Sequence, residues 1–247
     1  MPKVKKLLFI ALSMFLSISC EQRRDVLILG TNVGYPPFEY KDASGEIVGI
    51  DIDISRKIAK SLGKKLVVKD MTFEDLIPAV MKGKVDMIVS AITMTEERGK
   101  KIDFSYPYFQ SNQFVIVRKD APFEISAQKD LKGKKIGVEK GTTSEDTALE
   151  YTDDKANVVS YEGEGSADAL RDLRKGKLDV VMADEGFAVA AIQRYDDIRE
   201  IDLGFDDEFY AVGIQKGNAQ LLQGINAALR EMKLSGELPQ IFKKYKH

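Results

Sequence analysis

The sequence is poor in the two side chains that carry most metal and nucleophilic chemistry. It has one Cys and one His among 247 residues. An internal disulfide needs two cysteines, and a zinc site built from Cys and His needs several ligands. The single His is His247, the last residue, where chains fray. A His-based triad or a His general base is therefore not expected. Neither GxxxxGK[ST] nor GxGxxG occurs, so no phosphate-cradling loop is expected either. An excess of one charge sign is also missing. Lys+Arg is 37 and Asp+Glu 39, a net charge of −2, which does not recommend nucleic acid as a partner. No cofactor or metal is implied.

What is present is ordinary for a globular protein: 44% apolar and 31% charged residues. The length suggests one large domain or two small ones at about 150 residues each, ample for a core. Residues 1–20 read as an address rather than as fold. Lys3, Lys5 and Lys6 precede thirteen uncharged residues, Leu7–Ser19, and then Cys20. This is the layout of a secretory signal, and the run falls short of the roughly 20 residues of a spanning helix. A buried terminal helix is the plainer alternative. Cys20 follows the small Ser19, where a bacterial lipoprotein is cut and lipidated, although Leu16 stands four residues before it rather than three. Cleavage there removes three Lys and leaves 34 minus 39, or −5. A lipid on Cys20 would tether an otherwise soluble chain.

The remainder alternates strands and helices. Strands are expected at Val26–Gly30, Lys65–Val68, Val85–Ser90, Phe114–Arg118, Lys135–Val138, Val158–Tyr161 and Leu178–Ala183. Tyr210–Ile214 is expected to be extended. Helices are expected at Asp51–Leu62, Phe73–Met81, Ser144–Tyr151, Ala167–Lys175, Gly186–Tyr195, Asn218–Ser235 and Leu238–Tyr245, with another starting at Thr95. Pro78 must lie in the first turn of its helix or kink it. Such alternation argues for parallel sheets covered by helices. An internal echo supports two lobes on one plan. Leu76–Ala91 and Asp168–Glu185 share a helix end, KGK, an aliphatic residue, Asp and a buried strand, with Gly83 and Gly176 as anchors. Ligands in open α/β sheets sit beyond the carboxyl ends of strands, so two such edges facing each other make a cleft.

Several residues at those edges carry usable chemistry. Arg98 falls in the first turn after the Thr95 cap, where a cation is unfavourable unless an anion is near. It either pairs at the surface with Glu96 or Asp103, or its planar fork holds a ligand carboxylate with the amide and hydroxyl of Thr93. Thr142 and Thr143 each open a capping box, and the helix amides there can also face an anion. Asp184 ends an apolar strand, either as a helix cap or as a partner for an ammonium. Tyr35, Phe38 and Phe73 are ordinary core or a wall for aliphatic atoms. A cationic holder on one lobe and an anionic one on the other would suit a zwitterion.

The stretches TNVGYPPFEYKDASGEIVGIDIDISRKIAKSLG, FEDLIPAVMKGKVDMIVSAITMTEERGKKIDFSYPYF, LKGKKIGVEKGTTSEDTALE and VVMADE resemble the amino-acid-binding family of bacterial extracellular solute-binding proteins, which serve ABC importers. The similarity spans nearly all of Val26–Tyr245. It implies a two-lobed α/β periplasmic-binding-protein fold of type II. Each lobe would be a mostly parallel sheet flanked by helices, and two hinge strands near Ser111–Ile116 and Phe209–Gln215 would join them. One lobe would take residues 24–111 plus 212–247, the other 112–211. The resemblance makes Arg98 the holder of an α-carboxylate, helped by Thr93 and the Thr143 amide. It makes Asp184 the holder of the α-ammonium, helped by the Ser90 or Ala91 main chain. Tyr35 and Phe73 would sandwich the side chain, and Asn32 and Glu139 would read its tip. Basic-amino-acid binders often carry Asp where Asn32 stands, whereas Glu139 favours a cationic ligand. Arginine or another basic amino acid is therefore expected first and glutamine next.

The partners implied are permease subunits and, through Cys20, the outer face of a membrane or the periplasm. A monomer is expected. An enzyme on the same scaffold, with Glu139 as a carboxylate acid or base, and a sensor or adhesin lobe are the alternatives to a receptor without catalysis. With no His in the cleft, binding should change little between about pH 6 and 8, unless Glu139 or Asp184 is strongly shifted.

Overall fold

In a computed structural model, residues 25–245 are described. The leader, Cys20 and His247 lie outside them. The first sheet is nucleated by β1 (Val26–Thr31), whose residues alternate between two cores. Leu27 and Leu29 pack with Ile54 and Ile58 of α1 (Ile50–Ser61), Ile225 of α7 (Ala219–Leu234) and Ile241 of α8 (Glu237–Tyr245). Ile28 points to the opposite face, toward Leu76 and Val80 of α2 (Phe73–Met81). The sheet order is β4 (Lys65–Asp70), β1, β5 (Met87–Ile88), β14 (Gly213–Gln215) and β6 (Ile102–Phe104). A short hairpin, β2 (Tyr40–Lys41) with β3 (Ile47–Val48), leads into α1.

The second sheet repeats this order with β10 (Val158–Tyr161), β9 (Ile136–Glu139), β11 (Val180–Asp184), β8 (Gln113–Arg118) and β12 (Ile198–Asp202). Helices α5 (Gly165–Arg174) and α6 (Glu185–Arg194) cover one face through Leu170, Leu173 and Phe187. Helix α4 (Thr143–Tyr151) covers the other through Ala148. The echo seen in the sequence is thus real at the level of the fold, since β5 and β11 take the middle place in the two sheets. Gly83 and Gly176 end the preceding helices with φ of 63° and 74°, a conformation that glycine adopts without steric cost.

The repeated Asp has a job that the pattern did not disclose. Ile28 N–H donates to the Asp86 carboxylate at 2.7 Å, and Lys135 N–H donates to that of Asp179 at 2.8 Å. Each carboxylate stands in for a ladder carbonyl at the foot of its sheet. The paired part of the expected Val85–Ser90 strand is only Met87–Ile88. Pro78 sits in the second turn of α2 rather than the first. Its missing N–H costs the helix the bond to the Glu74 carbonyl.

The chain crosses between the sheets twice, at one place. β7 (Phe109–Ser111) and β13 (Glu208–Tyr210) pair antiparallel, then run on into β8 of the second sheet and β14 of the first. Each arriving strand is antiparallel to both of its neighbours, and every other pairing in the two large sheets is parallel. Strand–helix alternation predicts mostly parallel sheets, and these two insertions make both sheets mixed. The short strands β6, β7 and β12 carry no helix-separated periodicity and were not expected.

Candidate functional site

A narrow cleft lies between the carboxyl ends of β1 and β5 on one side and of β9 and β11 on the other. Asn32, Tyr35, Phe73, Ser90, Ala91, Thr93 and Arg98 line it from the first sheet, and Glu139, Thr142, Thr143 and Asp184 from the second. Phe38 is the exception among the candidates. It is fully buried in the core, edge-on to Phe109 and Tyr210, and does not face the cleft. Two prolines at 36 and 37 turn the chain between Tyr35 and Phe38, whose ring centroids lie 6.4 Å apart. Tyr35 itself stacks on Phe187, with centroids 4.9 Å apart.

Arg98 is 8% exposed. Thr95 caps its short helix, α3 (Glu96–Gly99), by accepting from the Arg98 N–H at 3.2 Å. The guanidinium donates to the Thr93 carbonyl at 2.8 Å and, across the cleft, to the Gly141 carbonyl at 3.0 Å. Its ring neighbour is Phe73, 5.4 Å away. The surface pairings with Glu96 or Asp103 are not made. Lys100 takes Glu96 and Glu97, and Asp103 meets Lys216. Burial lowers the proton affinity of Arg98, and the carboxylates of Glu208, Asp146 and Asp184 work against that.

Asp184 begins α6, yet its side chain makes no capping bond. Its carboxylate accepts from the Tyr210 hydroxyl instead, and its N–H donates to the Tyr35 hydroxyl oxygen at 3.0 Å. Burial, with Glu208 nearby, lifts its pKa well above the usual carboxylate range. Thr93 departs from its expected role. Its hydroxyl donates to buried Glu208 at 2.6 Å, because that carboxylate needs donors, so the oxygen can only accept from a ligand. Ser90 Oγ donates to Glu39 at 2.7 Å and accepts from the Asn32 N–H at 3.0 Å. Ala91 holds φ at 44°, with its N–H on Asp51 at 2.6 Å, an uncommon conformation of the kind that clusters at functional sites.

Thr142 caps α4, accepting from Glu145 N–H at 3.2 Å and donating to the Glu139 carbonyl at 2.7 Å. Glu145 closes the box one residue early, on the Gly141 N–H. Glu139 is 5% exposed and accepts from Ser166, from Oγ at 2.9 Å and from the N–H at 3.4 Å. Burial pushes it up to about 7. The condition attached to a flat pH response is therefore met, since a group in the cleft titrates inside the pH 6–8 window.

Glu39, Ser144 and Ser166 also line the cleft and were missed. Glu39 was visible only as part of the PPFE block. It faces Asp51, and burial raises both, Asp51 to about 6. Ser166 lies in the first turn of α5, and no spacing rule marks it.

Comparison with known proteins fits this geometry. The family model described as "Bacterial extracellular solute-binding proteins, family 3" matches residues 27–247. The chain belongs to this family. Among curated members, it is 31% identical over 228 residues to the arginine-binding extracellular protein ArtP of Bacillus subtilis (strain 168), covering 91% of this chain and 88% of that protein. It is 34% identical over 226 residues to the ABC transporter glutamine-binding protein GlnH of the same organism, covering 90% and 81%. A solved structure of an ancestral arginine-binding protein bound to arginine superposes with a TM-score of 0.84 at 37% identity, covering 90% of this chain and 99% of that one. Membership accounts for the two lobes and the cleft between them, and the family's members differ in the amino acid that their names record.

Proposed function

We propose that this chain is the receptor of an amino-acid ABC importer and closes its two lobes on a free α-amino acid with a cationic side chain, arginine first. Glu139 carries this reading. A buried carboxylate faces the cleft and, among the described residues, forms no ion pair. A cationic side chain would supply the missing charge. At the other end of the ligand, Arg98 would exchange its carbonyl partners for the α-carboxylate, and Asp184 would take the α-ammonium. The second reading is glutamine. A Glu139 that titrates near 7 is half neutral at neutral pH, and its neutral form suits an amide.

A calorimetric screen of the twenty amino acids on ligand-stripped protein tests this. Tight one-to-one binding of arginine without turnover is expected. Binding to none of the twenty would sink the receptor reading, and turnover would favour the enzyme alternative. The two lobes are assigned as 24–111 plus 212–247 and 112–211. We also place a lipid on Cys20, on the strength of the leader sequence. Mass spectrometry of the membrane-extracted protein should find a diacylated N-terminal Cys, and an unmodified one would overturn that assignment.

A further inference from the structure

Position 32 is an amide in a place shaped for a donor. Both hydrogens of the Asn32 side chain go to main-chain carbonyls: Met71 on its own side at 2.8 Å and Gly163 on the opposite side of the cleft at 3.1 Å. Asn32 is 6% exposed. A carboxylate in its place would set negative charge against two carbonyl oxygens, whereas the amide donates to both. The Gly163 bond spans the cleft and so exists only when the cleft is closed.

Three residues beyond Gly163 stands Ser166, the hydrogen-bond partner of Glu139. Between them, Gly165 adopts φ of 28°, and a Cβ there would come within 2.3 Å of the Glu139 carboxyl carbon. Residues 163–166 therefore wrap the carboxylate closely, and the loop is grasped from the other lobe by Asn32. The other titratable groups around Glu139 are Glu39 and Tyr35, both of which burial pushes upward. Lys140, next in the chain, is turned away to Glu74 and Glu162.

We propose that Ser166 and Asn32 are positioning residues for side-chain selection: Ser166 holds the Glu139 carboxylate ionised and aimed into the cleft, and Asn32 fixes the loop that carries Ser166 once the lobes have closed. Closure and charge selection are then one event. A ligand that fails to close the lobes never meets a properly held Glu139. This rests on the cationic-ligand reading and names residues that act through Glu139 rather than on the ligand.

The test is calorimetry of arginine and glutamine from pH 5.5 to 8.5 on the wild type and on Ser166→Ala, Asn32→Ala and Glu139→Gln. Loss of a hydrogen bond to the charged form makes ionisation harder. Ser166→Ala should weaken arginine about tenfold at pH 7 and glutamine by less than about threefold. It should also move the midpoint of the arginine pH profile upward by roughly one unit. Asn32→Ala should move that midpoint the same way and raise the arginine dissociation rate. A merely structural role would lower thermal stability and leave the midpoint and the arginine-to-glutamine ratio alone. Wild-type midpoints and ratios in both variants, alongside a Glu139→Gln protein that has lost its arginine preference, would overturn the proposal. A Glu139→Gln protein that keeps its arginine preference would instead overturn the cationic-ligand reading and this proposal with it.

Discussion

Glu139→Gln should cost arginine two to three decades of affinity at pH 8 while leaving glutamine within about threefold. Truncating one side of a buried charge pair typically costs about 3–5 kcal/mol, which is that many decades. A neutral amide ligand loses no such partner. Equal effects on the two ligands would show that Glu139 does not select charge. The pH dependence follows with a definite sign. With the lobes closed around it, burial puts Glu139 at about 7. A cationic ligand needs it ionised, so arginine affinity should rise with pH, by up to tenfold per unit below about 7, and level off above. In Glu139→Gln this slope should vanish.

Stability should move the other way. The folded pKa of Glu139 is raised above its usual value of 4.5 to about 7. The protonated form is thus favoured by folding. That contribution is full below about 4.5 and is lost as pH rises through 7, a penalty of about 3 kcal/mol on the alkaline side. Glu139→Gln should therefore raise the Tm of the ligand-free protein at pH 8 and change it little at pH 4.5. A Tm that falls equally at both pH values would mean the carboxylate is not strained by burial.

Arg98→Ala should abolish measurable binding of every amino acid, whatever its side chain. The guanidinium is buried in the cleft, and its fork already spans the Thr93 and Gly141 carbonyls. Removal takes away the group proposed to meet the α-carboxylate and the bond that reaches across the cleft. It also leaves Glu208 and Asp184 without a neighbouring positive charge. Arg98→Lys should rescue only weakly, because an ammonium cannot reproduce a two-pronged contact. Retained affinity in Arg98→Ala, measured by calorimetry on stripped protein, would remove Arg98 from the site.

Much of this site could be read along the chain because strand ends announce themselves. An apolar run that stops at Ser90, Val138 or Ala183 and gives way to polar residues places the next few side chains at a sheet edge. Eleven of the twelve candidates line the cleft; Asn32, Ser90, Ala91 and Glu139 among them come from the family resemblance rather than from the pattern. Phe38 fails because a turn of two prolines reverses direction within three residues, and no periodicity records which ring faces in. Ser166, Glu208 and Tyr210 were illegible for a different reason. Their roles depend on partners 27, 115 and 26 residues away in sequence: Glu139, Thr93 and Asp184. The sheets were expected to be mostly parallel because local alternation is blind to a strand donated from the other lobe.

The double crossing at β7 and β13 also imposes an order of completion on a chain that emerges from its N-terminus. The second sheet has all five strands in hand once residue 202 has appeared. The first begins at residue 26 but lacks its fourth strand, the only bridge to β6, until residue 215 arrives. The part of the molecule that starts first is the part that must wait, with the central edge of β5 unpaired until the last fifth of the chain closes it.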